Sequence, residues 1–246
     1  MAEQKVAIVT GSSSGIGAAI ATRLGNEGFR VVINSARSVS EGRALAATLP
    51  AATYVQADVS DEEQARHLIA TAVEQHGALD VLVNNAGTTK VIPHADLEAA
   101  SPQVWQDILS LNVIGTWQTS VAAVPYLSKR DTPGNIINIS SVAGIRPVGS
   151  SIPYAVSKAA INHMTQLLAG AVGPRIRVNS VAPAFTETAW TRDDPFFRTI
   201  ADKCRETTPL RRVGTAEDVA ETVWAVLRLS HLTGVVIPVD GGAALV

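Results

Sequence analysis

Short runs of apolar, β-branched residues alternate along the chain with longer segments in which apolar residues recur every three or four positions. The short runs predict seven β-strands: KVAIVT, RVVINS, ATYVQA, LDVLVNN, GNIINIS, IRVNSVA and GVVIPVD. Longer segments such as EEQARHLIATAVEQHG and SKAAINHMTQLLAGAVG have helical periodicity. Strands that alternate with helices pair in parallel through right-handed crossovers. The pattern therefore predicts an α/β fold with a doubly wound, seven-stranded parallel sheet and helices on both faces.

The chain contains no linker rich in Pro, Gly or Ser and no repeat of solenoid length, so we expect one domain over residues 1–246. The segment at about 184–214 is too long for a plain connector, and it predicts a lid over a binding site. Aromatic residues are only 4% of the chain, yet four lie in this segment: Phe185, Trp190, Phe196 and Phe197. A substrate, a neighbouring subunit and the protein's own core are the alternatives for what covers them.

Composition and charge narrow the classes of function. The 246 residues are 46% apolar and 17% charged, with a formal net charge of −2, so no nucleic-acid partner is expected. The start MAEQKVAIVT lacks the features of a secretion signal, and no run approaches the roughly 18 apolar residues of a membrane span. We therefore expect a cytoplasmic protein without a membrane partner. The histidines are scattered and Cys204 is the only cysteine, so no metal site is expected.

The segment TGSSSGIG follows the first predicted strand and opens the first predicted helix. In this position we expect Gly11 to allow a sharp turn, Gly15 to leave room for a ligand, and Gly17 to let the helix pack closely on the sheet. The unpaired N–H groups at the helix start suit a pyrophosphate, and Ser13 and Ser14 offer further donors. A dinucleotide site is favoured over a glycine-rich turn without a ligand.

A second candidate site is the segment YAVSK, which begins the helix before the sixth predicted strand. Tyr154 and Lys158 are four positions apart and share one helical face, near the carboxyl edge of the sheet where open α/β folds bind ligands. An ammonium group and a cationic cofactor ring near the phenol would lower the pKa of Tyr154 from about 10 toward neutrality. Tyr154 is then a candidate proton donor and acceptor. The alternative is an amphipathic helix with a half-buried tyrosine and a solvated lysine.

Five segments, in this order, resemble the motifs of the short-chain dehydrogenase/reductase family: TGSSSGIG, NNAG, SSVAG, YAVSK and TGVVIPVDGG. The resemblance extends from about Lys5 to Gly242. It implies a Rossmann fold, a nicotinamide cofactor and an enzyme that interconverts a ketone and a secondary alcohol. Relatives in the family are mostly tetramers, which implies a homotetramer built through long helices at about 102–128 and 153–171.

The resemblance also implies a catalytic set of four residues. Ser141, thirteen positions before Tyr154, would hydrogen-bond the substrate oxygen, and Tyr154 would exchange its proton. Lys158 would hold the nicotinamide ribose and tune Tyr154, while Asn112 in SLNVIG would place a water in the proton relay.

Further positions match the family's cofactor contacts. Asp58 and Val59 would receive the adenine, Asn85, Ala86 and Gly87 would line the ribose, and Thr188 would contact the carboxamide. The complete cofactor set is Gly11, Ser13, Ser14, Gly15, Ile16, Gly17, Arg37, Ser38, Asp58, Val59, Asn85, Ala86, Gly87, Tyr154, Lys158, Thr186 and Thr188. The chain departs from the family before these threonines, where the usual Pro-Gly is Pro-Ala, PAFTET.

The end of the second strand, VVINSARS, bears on which nicotinamide cofactor is used. An acidic residue there would bind the ribose 2′-hydroxyl of NAD and repel the 2′-phosphate of NADP. Ser35 occupies that place, and Arg37 with Ser38 offers a charge-assisted contact to the phosphate. We predict NADP, with NAD as the alternative. Ser14 stands where many NADP-dependent relatives carry a second basic residue, and a solvated Arg37 is the competing interpretation.

These observations predict an NAD(P)-dependent oxidoreductase with a small-molecule carbonyl or alcohol substrate. The nearest alternative is a 3-oxoacyl-carrier-protein reductase, for which Lys129, Arg130 and Arg175 would contact an acidic carrier. An alternative of another class is a non-catalytic dinucleotide-binding regulator. That alternative would keep the glycine loop but need not keep the catalytic residues, all four of which are present here.

Overall fold

Seven parallel strands form the central sheet in the computed structural model, which describes residues 4–188 and 195–246. The strands of this described part are β1 (Val6–Val9), β2 (Arg30–Ser35), β3 (Ala52–Gln56), β4 (Val81–Asn84), β5 (Gly134–Ile139), β6 (Ile176–Pro183), β7 (Thr186–Glu187), β8 (Gly214–Thr215) and β9 (Val236–Val239). The order across the sheet is β3, β2, β1, β4, β5, β6, β9, while β7 and β8 pair separately. The predicted doubly wound parallel sheet is confirmed.

Helices cover both faces of this sheet. They are α1 (Gly15–Asn26), α2 (Val39–Thr48), α3 (Glu62–His76), α4 (Pro102–Leu109), α5 (Thr116–Leu127), α6 (Ile152–Val172), α7 (Pro195–Thr207) and α8 (Ala216–Arg228). Short 3₁₀ turns lie at Val142–Gly144 and Ala243–Leu245. Within the described ranges, no helix is long and apolar enough to cross a membrane.

The long helix expected over 102–128 is interrupted by a π-helical turn at Ser110–Gly115, which joins α4 to α5. Threonine side chains stabilise this widened turn. Thr116 Oγ1 donates to the carbonyl of Asn112 at 2.8 Å, and Thr119 Oγ1 lies 2.8 Å from that of Gly115. Such turns are rare and are frequent at functional sites.

The core consists of two layers because successive strand residues point to opposite faces of the sheet. Ile8 and Leu82 are fully buried against α3, α5 and α6. Their strand neighbours Val9 and Val83 are fully buried on the other face, against α1 and α8. Burial on both faces explains the near-continuous apolar strands in the sequence.

The order of the strands fixes where a ligand can enter. From β1 the chain builds β2 and β3 on one side of the sheet and then crosses to form β4 on the other side of β1. The strand β1 therefore pairs with both β2 and β4. This reversal opens a crevice at the carboxyl ends of the strands, the usual ligand site of open α/β sheets.

Candidate active site

The loop between β1 and α1 is closely packed around its glycines. Gly11 has a φ of +61°, and a Cβ there would lie 2.9 Å from Ala86 Cα. A Cβ on Gly17 would lie 2.6 Å from the carbonyl oxygen of Gly11 and 2.5 Å from Asn85 Nδ2. Side chains are therefore excluded at both positions, and the start of α1 sits directly against the loop that follows β4.

The N-terminus of α1 has the properties of an anion site. Ser14, the N-cap residue, makes no side-chain capping bond, and the first turn of this fully described helix carries no acidic residue. The Ser12 hydroxyl is used internally, because it donates to the Val9 carbonyl at 2.6 Å and accepts from Asn34 N at 3.0 Å. The helix end and the side chains of Ser13 and Ser14 therefore fit a pyrophosphate.

A cavity of about 810 Å³ opens beside this helix end at the carboxyl edge of the sheet. The positions singled out in the sequence that line it are Ser14, Gly15, Ile16, Gly17, Asn85, Gly87, Ser141, Tyr154, Lys158, Thr186 and Thr188. Among the described residues, the other positions singled out do not line this cavity: Gly11, Ser13, Arg37, Ser38, Asp58, Val59, Ala86 and Asn112.

Tyr154 lies in the first turn of α6, whose N-cap Ser151 accepts from the Tyr154 N–H at 3.4 Å. Burial raises the pKa of the phenol, and a hydrogen bond with Ser141 offsets only part of that rise. The expected lowering of this pKa involves a cationic cofactor ring as well as Lys158, so it stays a prediction for the cofactor-loaded site. Desolvation disfavours the charged phenolate, which accounts for the direction of the pKa shift in the chain alone.

Lys158 is buried rather than solvated, which excludes the amphipathic-helix alternative for this residue. Its Nζ donates to the Ile139 carbonyl at 2.9 Å and lies 5.6 Å from the centroid of the Tyr154 ring. A Cβ on Gly87 would lie 3.7 Å from this Nζ, so the ammonium faces the loop after β4. Burial lowers the pKa of Lys158 from 10.5 to about 8.

Ser141 caps the 3₁₀ turn that follows β5. Its Oγ accepts from Ala143 N at 3.2 Å and donates to the Pro183 carbonyl over a long 3.4 Å. Because this donor contact is weak, the hydroxyl hydrogen can turn toward a ligand oxygen in the cavity.

Asn112 lies in the π-helical turn and is fully buried. Its Oδ1 accepts from Thr88 N at 2.8 Å, and its Nδ2 donates to the Thr88 carbonyl at 3.0 Å and to Ser157 Oγ at 3.0 Å. Ser157 Oγ in turn donates to the Tyr154 carbonyl at 2.7 Å. The side chain of Asn112 thus joins the loop after β4 to the helix that carries Tyr154 and Lys158.

Several buried polar residues at the strand ends were not singled out from the sequence. Asn34 Oδ1 accepts from Gly11 N at 3.2 Å, and Thr10 Oγ1 accepts from the N–H groups of Asn85 and Ala86 at 3.0 Å each. These bonds hold the loops of the crevice to one another. The sequence feature that could have identified such residues is a polar residue at the end of an otherwise apolar strand, as in VVIN.

A second hydrogen-bonded group lies beneath the cavity. Asn84 Nδ2 donates to Asn138 Oδ1 at 2.9 Å, and Asn84 Oδ1 accepts from Thr119 Oγ1 at 2.7 Å. Asn138 Nδ2 donates to Thr165 Oγ1 at 2.8 Å. All four residues are buried, so β4, β5, α5 and α6 are joined through satisfied polar groups.

The residues at the end of β2 and just past it differ in exposure. Arg37 and Ser38 are exposed. Ser35 is only 6% exposed, and its Oγ lies 2.9 Å from both the Ser38 carbonyl and the Tyr54 hydroxyl. The Asp58 carboxylate accepts from Ser60 N at 3.0 Å and Ser60 Oγ at 2.7 Å, within a tight turn.

Three of the aromatic residues noted in the lid segment line the cavity: Phe185, Phe196 and Phe197. The fourth, Trp190, lies outside the described residues. Lys203 and Cys204 of α7 also line the cavity, and burial raises the pKa of the Cys204 thiol.

The basic residues considered for a carrier contact lie at the amino ends of the strands, whereas the cavity lies at the carboxyl ends. Lys129 and Arg130 follow α5 and precede β5, while Arg175 immediately precedes β6. Arg130 Nε pairs with Asp80 Oδ1 at 2.8 Å. Since these are the amino ends of the strands, a carrier that docked on them within one chain would not face the cavity.

Residues 11–244 match the protein family described as enoyl-(acyl carrier protein) reductase. A protein of Streptomyces violaceoruber, named as a ketoacyl reductase of the granaticin polyketide synthase, is 60% identical over 243 residues, which cover 99% of this chain and 97% of the relative. A short-chain dehydrogenase/reductase structure from Burkholderia xenovorans superposes with a TM-score of 0.91 at 32% identity, over 100% of both chains. A 3-ketoacyl-(acyl-carrier-protein) reductase from Brucella melitensis, complexed with NADH, gives a TM-score of 0.89 at 30% identity over 98% of this chain and 99% of that one.

Proposed function

Since the chain belongs to the short-chain dehydrogenase/reductase family, we propose that its reaction takes place in the cavity beside Tyr154. The protein is an NAD(P)-dependent oxidoreductase that interconverts ketones and secondary alcohols. One observation carries the proposed location: Ser141, Tyr154 and Lys158 line the same cavity as the N-terminus of α1. A regulator without catalysis would not need this arrangement.

In this proposal Tyr154 gives its proton to the carbonyl oxygen of a ketone. Burial raises the pKa of the phenol, so the hydroxyl stays protonated through neutral pH and is ready to donate. Ser141 donates its weakly held hydroxyl hydrogen to the same oxygen and orients the substrate. A nicotinamide cofactor held at this site would supply the hydride for reduction and would accept it in the reverse direction.

Lys158 serves the site through its charge. With a pKa of about 8, its side chain is mostly an ammonium ion at neutral pH, although it is buried. We assign it to the ribose hydroxyls of the cofactor and to stabilisation of negative charge on the Tyr154 oxygen after proton transfer. Asn112 positions the loop after β4 and α6 relative to each other, and these two segments carry residues that would hold the cofactor.

For the cofactor we propose NADP, with NAD as the alternative. Arg37 is exposed just past β2, and no acidic side chain lies between Asn34 and Ser38 to repel a 2′-phosphate. The α1 N-terminus, with Ser13 to Gly17, takes the pyrophosphate. The remaining proposed contacts are Asp58 and Val59 for adenine, Asn85 to Gly87 for the ribose, and Thr186 and Thr188 for the carboxamide. The NADH bound to the Brucella melitensis relative supports the alternative.

As substrate we propose a ketone with an apolar portion, and a 3-oxoacyl chain is the best-supported example. Two relatives, at 60% and 30% identity, are named as ketoacyl reductases. The described residues that line the cavity include large apolar side chains such as Phe185, Phe197 and Ile200. Burial of apolar groups there would contribute to binding.

We further propose a cytoplasmic homotetramer of single-domain subunits, 1–246, in which the segment 184–214 closes over the substrate. Ile114 and Trp117, near the junction of α4 and α5, are 46% and 47% exposed. Val156 and Leu167 on α6 are 44% and 62% exposed. Large apolar side chains on these two helices suit contact between subunits. Light scattering coupled to size-exclusion chromatography measures the mass of the assembly.

The proposed function is tested by a panel of ketones and secondary alcohols, including a 3-oxoacyl thioester and an aldose, with NADPH and NADH. We expect ketone-dependent oxidation of the cofactor and a chromatographically identified alcohol product. The absence of any carbonyl-dependent or alcohol-dependent turnover with either cofactor would contradict the proposal.

A further inference from the structure

Three phenylalanines form a continuous aromatic surface on one side of the cavity, which we call the phenylalanine wall: Phe185, Phe196 and Phe197. The rings of Phe185 and Phe197 are nearly parallel, with an interplanar angle of 19° and centroids 5.8 Å apart. Phe196 meets Phe197 at 71°, with centroids 5.3 Å apart. The rings of the wall therefore have defined orientations. Phe185 immediately precedes β7, and Phe196 and Phe197 lie in α7.

The phenylalanines of this chain are concentrated at the wall. The chain has four phenylalanines, and only Phe29 lies elsewhere, edge-on to Trp224 in the core with centroids 6.2 Å apart. Phe196 remains 37% exposed although it lines the cavity. A side chain of this size left partly open to a cavity offers apolar area for a ligand to cover.

The wall also limits which substrates fit. Phenylalanine rings neither donate nor accept conventional hydrogen bonds, and Val142 and Val148 on the described cavity lining add further apolar surface. A sugar placed against this surface would turn hydroxyl groups toward rings that cannot bond them, so only its other side could reach polar lining residues such as Lys203, Thr207 and Asp240. A planar ring would instead pack face-to-face or edge-to-face on the wall.

We propose that the wall selects ketones that carry an aromatic ring beside the reacting carbonyl, over saturated ketones of the same size and over polyols. This inference rests on the proposed function, because it assumes that the carbonyl is held at Ser141 and Tyr154. Phe197 is the specificity-determining residue in this account, since it contacts both other rings of the wall. An aromatic pair gains roughly twofold to tenfold in affinity beyond the buried area.

The test compares 2-tetralone with trans-2-decalone, which share a bicyclic skeleton and a carbonyl that is not conjugated with a ring. We expect kcat/KM to be about twofold to tenfold higher for the aromatic ketone in the wild type, mainly through a lower KM. Phe197→Leu keeps an apolar side chain but removes the ring, so the ratio should fall to about one. Phe29→Leu makes the same change away from the cavity and should keep the wild-type ratio.

A second readout does not depend on turnover. Calorimetric titration of the protein with 2-tetralol and with trans-2-decalol should show the same preference, and Phe196→Leu should reduce it if Phe197→Leu does not fold. A wild-type ratio of one or below, or a ratio that survives both wall substitutions, would overturn the inference. Equal reduction of both ketones would overturn the inference but leave the proposed function standing. No reduction of any ketone would contradict the proposed function. In that case the calorimetric titration would still show whether the phenylalanine wall prefers the aromatic ligand.

Discussion

The two ends of the proposed cofactor site are built differently. At the nicotinamide end, Asn112, Ser157 and Lys158 are all buried and hydrogen-bonded within the chain. At the adenine end, Arg37 and Ser38 are exposed. Buried partners fix the geometry of the first group, whereas solvent leaves the second group free to adjust.

This difference matches what each end has to do. Proton transfer from Tyr154 requires an alignment within a fraction of an ångström, and buried, satisfied networks hold side chains at that precision. The adenine end only binds, so a charged side chain in solvent suffices and can change the choice of cofactor without disturbing the chemistry. Substitutions at the two ends should therefore differ in kind as well as in size.

The largest effect is expected at Tyr154. Tyr154→Phe keeps the ring but removes the proton donor, so kcat should fall by about 10²- to 10⁴-fold while NADPH affinity changes little. Stopped-flow kinetics and fluorescence titration of the cofactor measure the two quantities. Tyr126→Phe, on α5 and off the cavity lining described here, is the matched control and should behave as wild type. Near-normal turnover of Tyr154→Phe would exclude this residue as the donor.

Asn112→Leu should produce the next largest effect, on stability. It leaves the N–H and carbonyl of Thr88 and the hydroxyl of Ser157 without their buried partner, which should cost roughly 2–5 kcal/mol of unfolding free energy. Urea denaturation measures the change. Asn135→Leu is the matched control, because Asn135 Oδ1 is buried without a hydrogen-bond partner in the described structure. Equal losses of unfolding free energy in both variants would contradict a stabilising role for the hydrogen bonds of Asn112.

Lys158 should give a pH-dependent effect at the same end of the site. Burial lowers its pKa from 10.5 to about 8, so between these values the unfolded chain keeps a proton that the folded chain has lost. Stability from this residue therefore rises with pH across that window, by on the order of 3 kcal/mol.

Lys158→Met removes the titrating group, so the rise in unfolding free energy between these pH values should disappear. Urea denaturation at several pH values measures the slope for the wild type, Lys158→Met and the exposed-site control Lys129→Met. The control should keep the wild-type slope. An unchanged slope in Lys158→Met would show that Lys158 titrates near its ordinary pKa in the folded protein.

The smallest effect is expected at the adenine end. Arg37→Leu should weaken NADPH binding by about tenfold to a hundredfold and leave NADH binding unchanged, because only the 2′-phosphate loses a contact. Arg43→Leu on α2 removes a second exposed arginine and serves as the control. Ser35→Asp is a poorer test of cofactor choice, since it would place a carboxylate at a buried position beside the Tyr54 hydroxyl. Equal losses for both cofactors would contradict a phosphate contact.

The fold could be predicted from the sequence because its signals are local. Each of the seven strands was visible as an apolar run, and Gly11 and Gly17 stood where the chain turns and packs closely. The pairing of Tyr154 and Lys158 on one cavity also followed from helical spacing.

Contacts between distant segments could not be predicted in the same way. The bonds of Asn34 to the glycine loop and of Asn112 to Thr88 and Ser157 join residues far apart in the chain. The burial that raises the pKa of Tyr154 in the chain alone could not be predicted either, because spacing gives the neighbouring charge but not the desolvation. The position of Lys129 and Arg175 at the amino ends of the strands could not be predicted either, since composition does not tell which edge of the sheet a residue occupies.

The most direct test of the central claim follows a single hydrogen. The ketone that performs best in the panel is incubated with NADPH deuterated at both C4 positions, and the alcohol is analysed by mass spectrometry and NMR. We expect one deuterium at the carbinol carbon for the wild type and little alcohol from Tyr154→Phe with the cofactor still bound. An alcohol without deuterium at that carbon, or equal formation by both proteins, would contradict it.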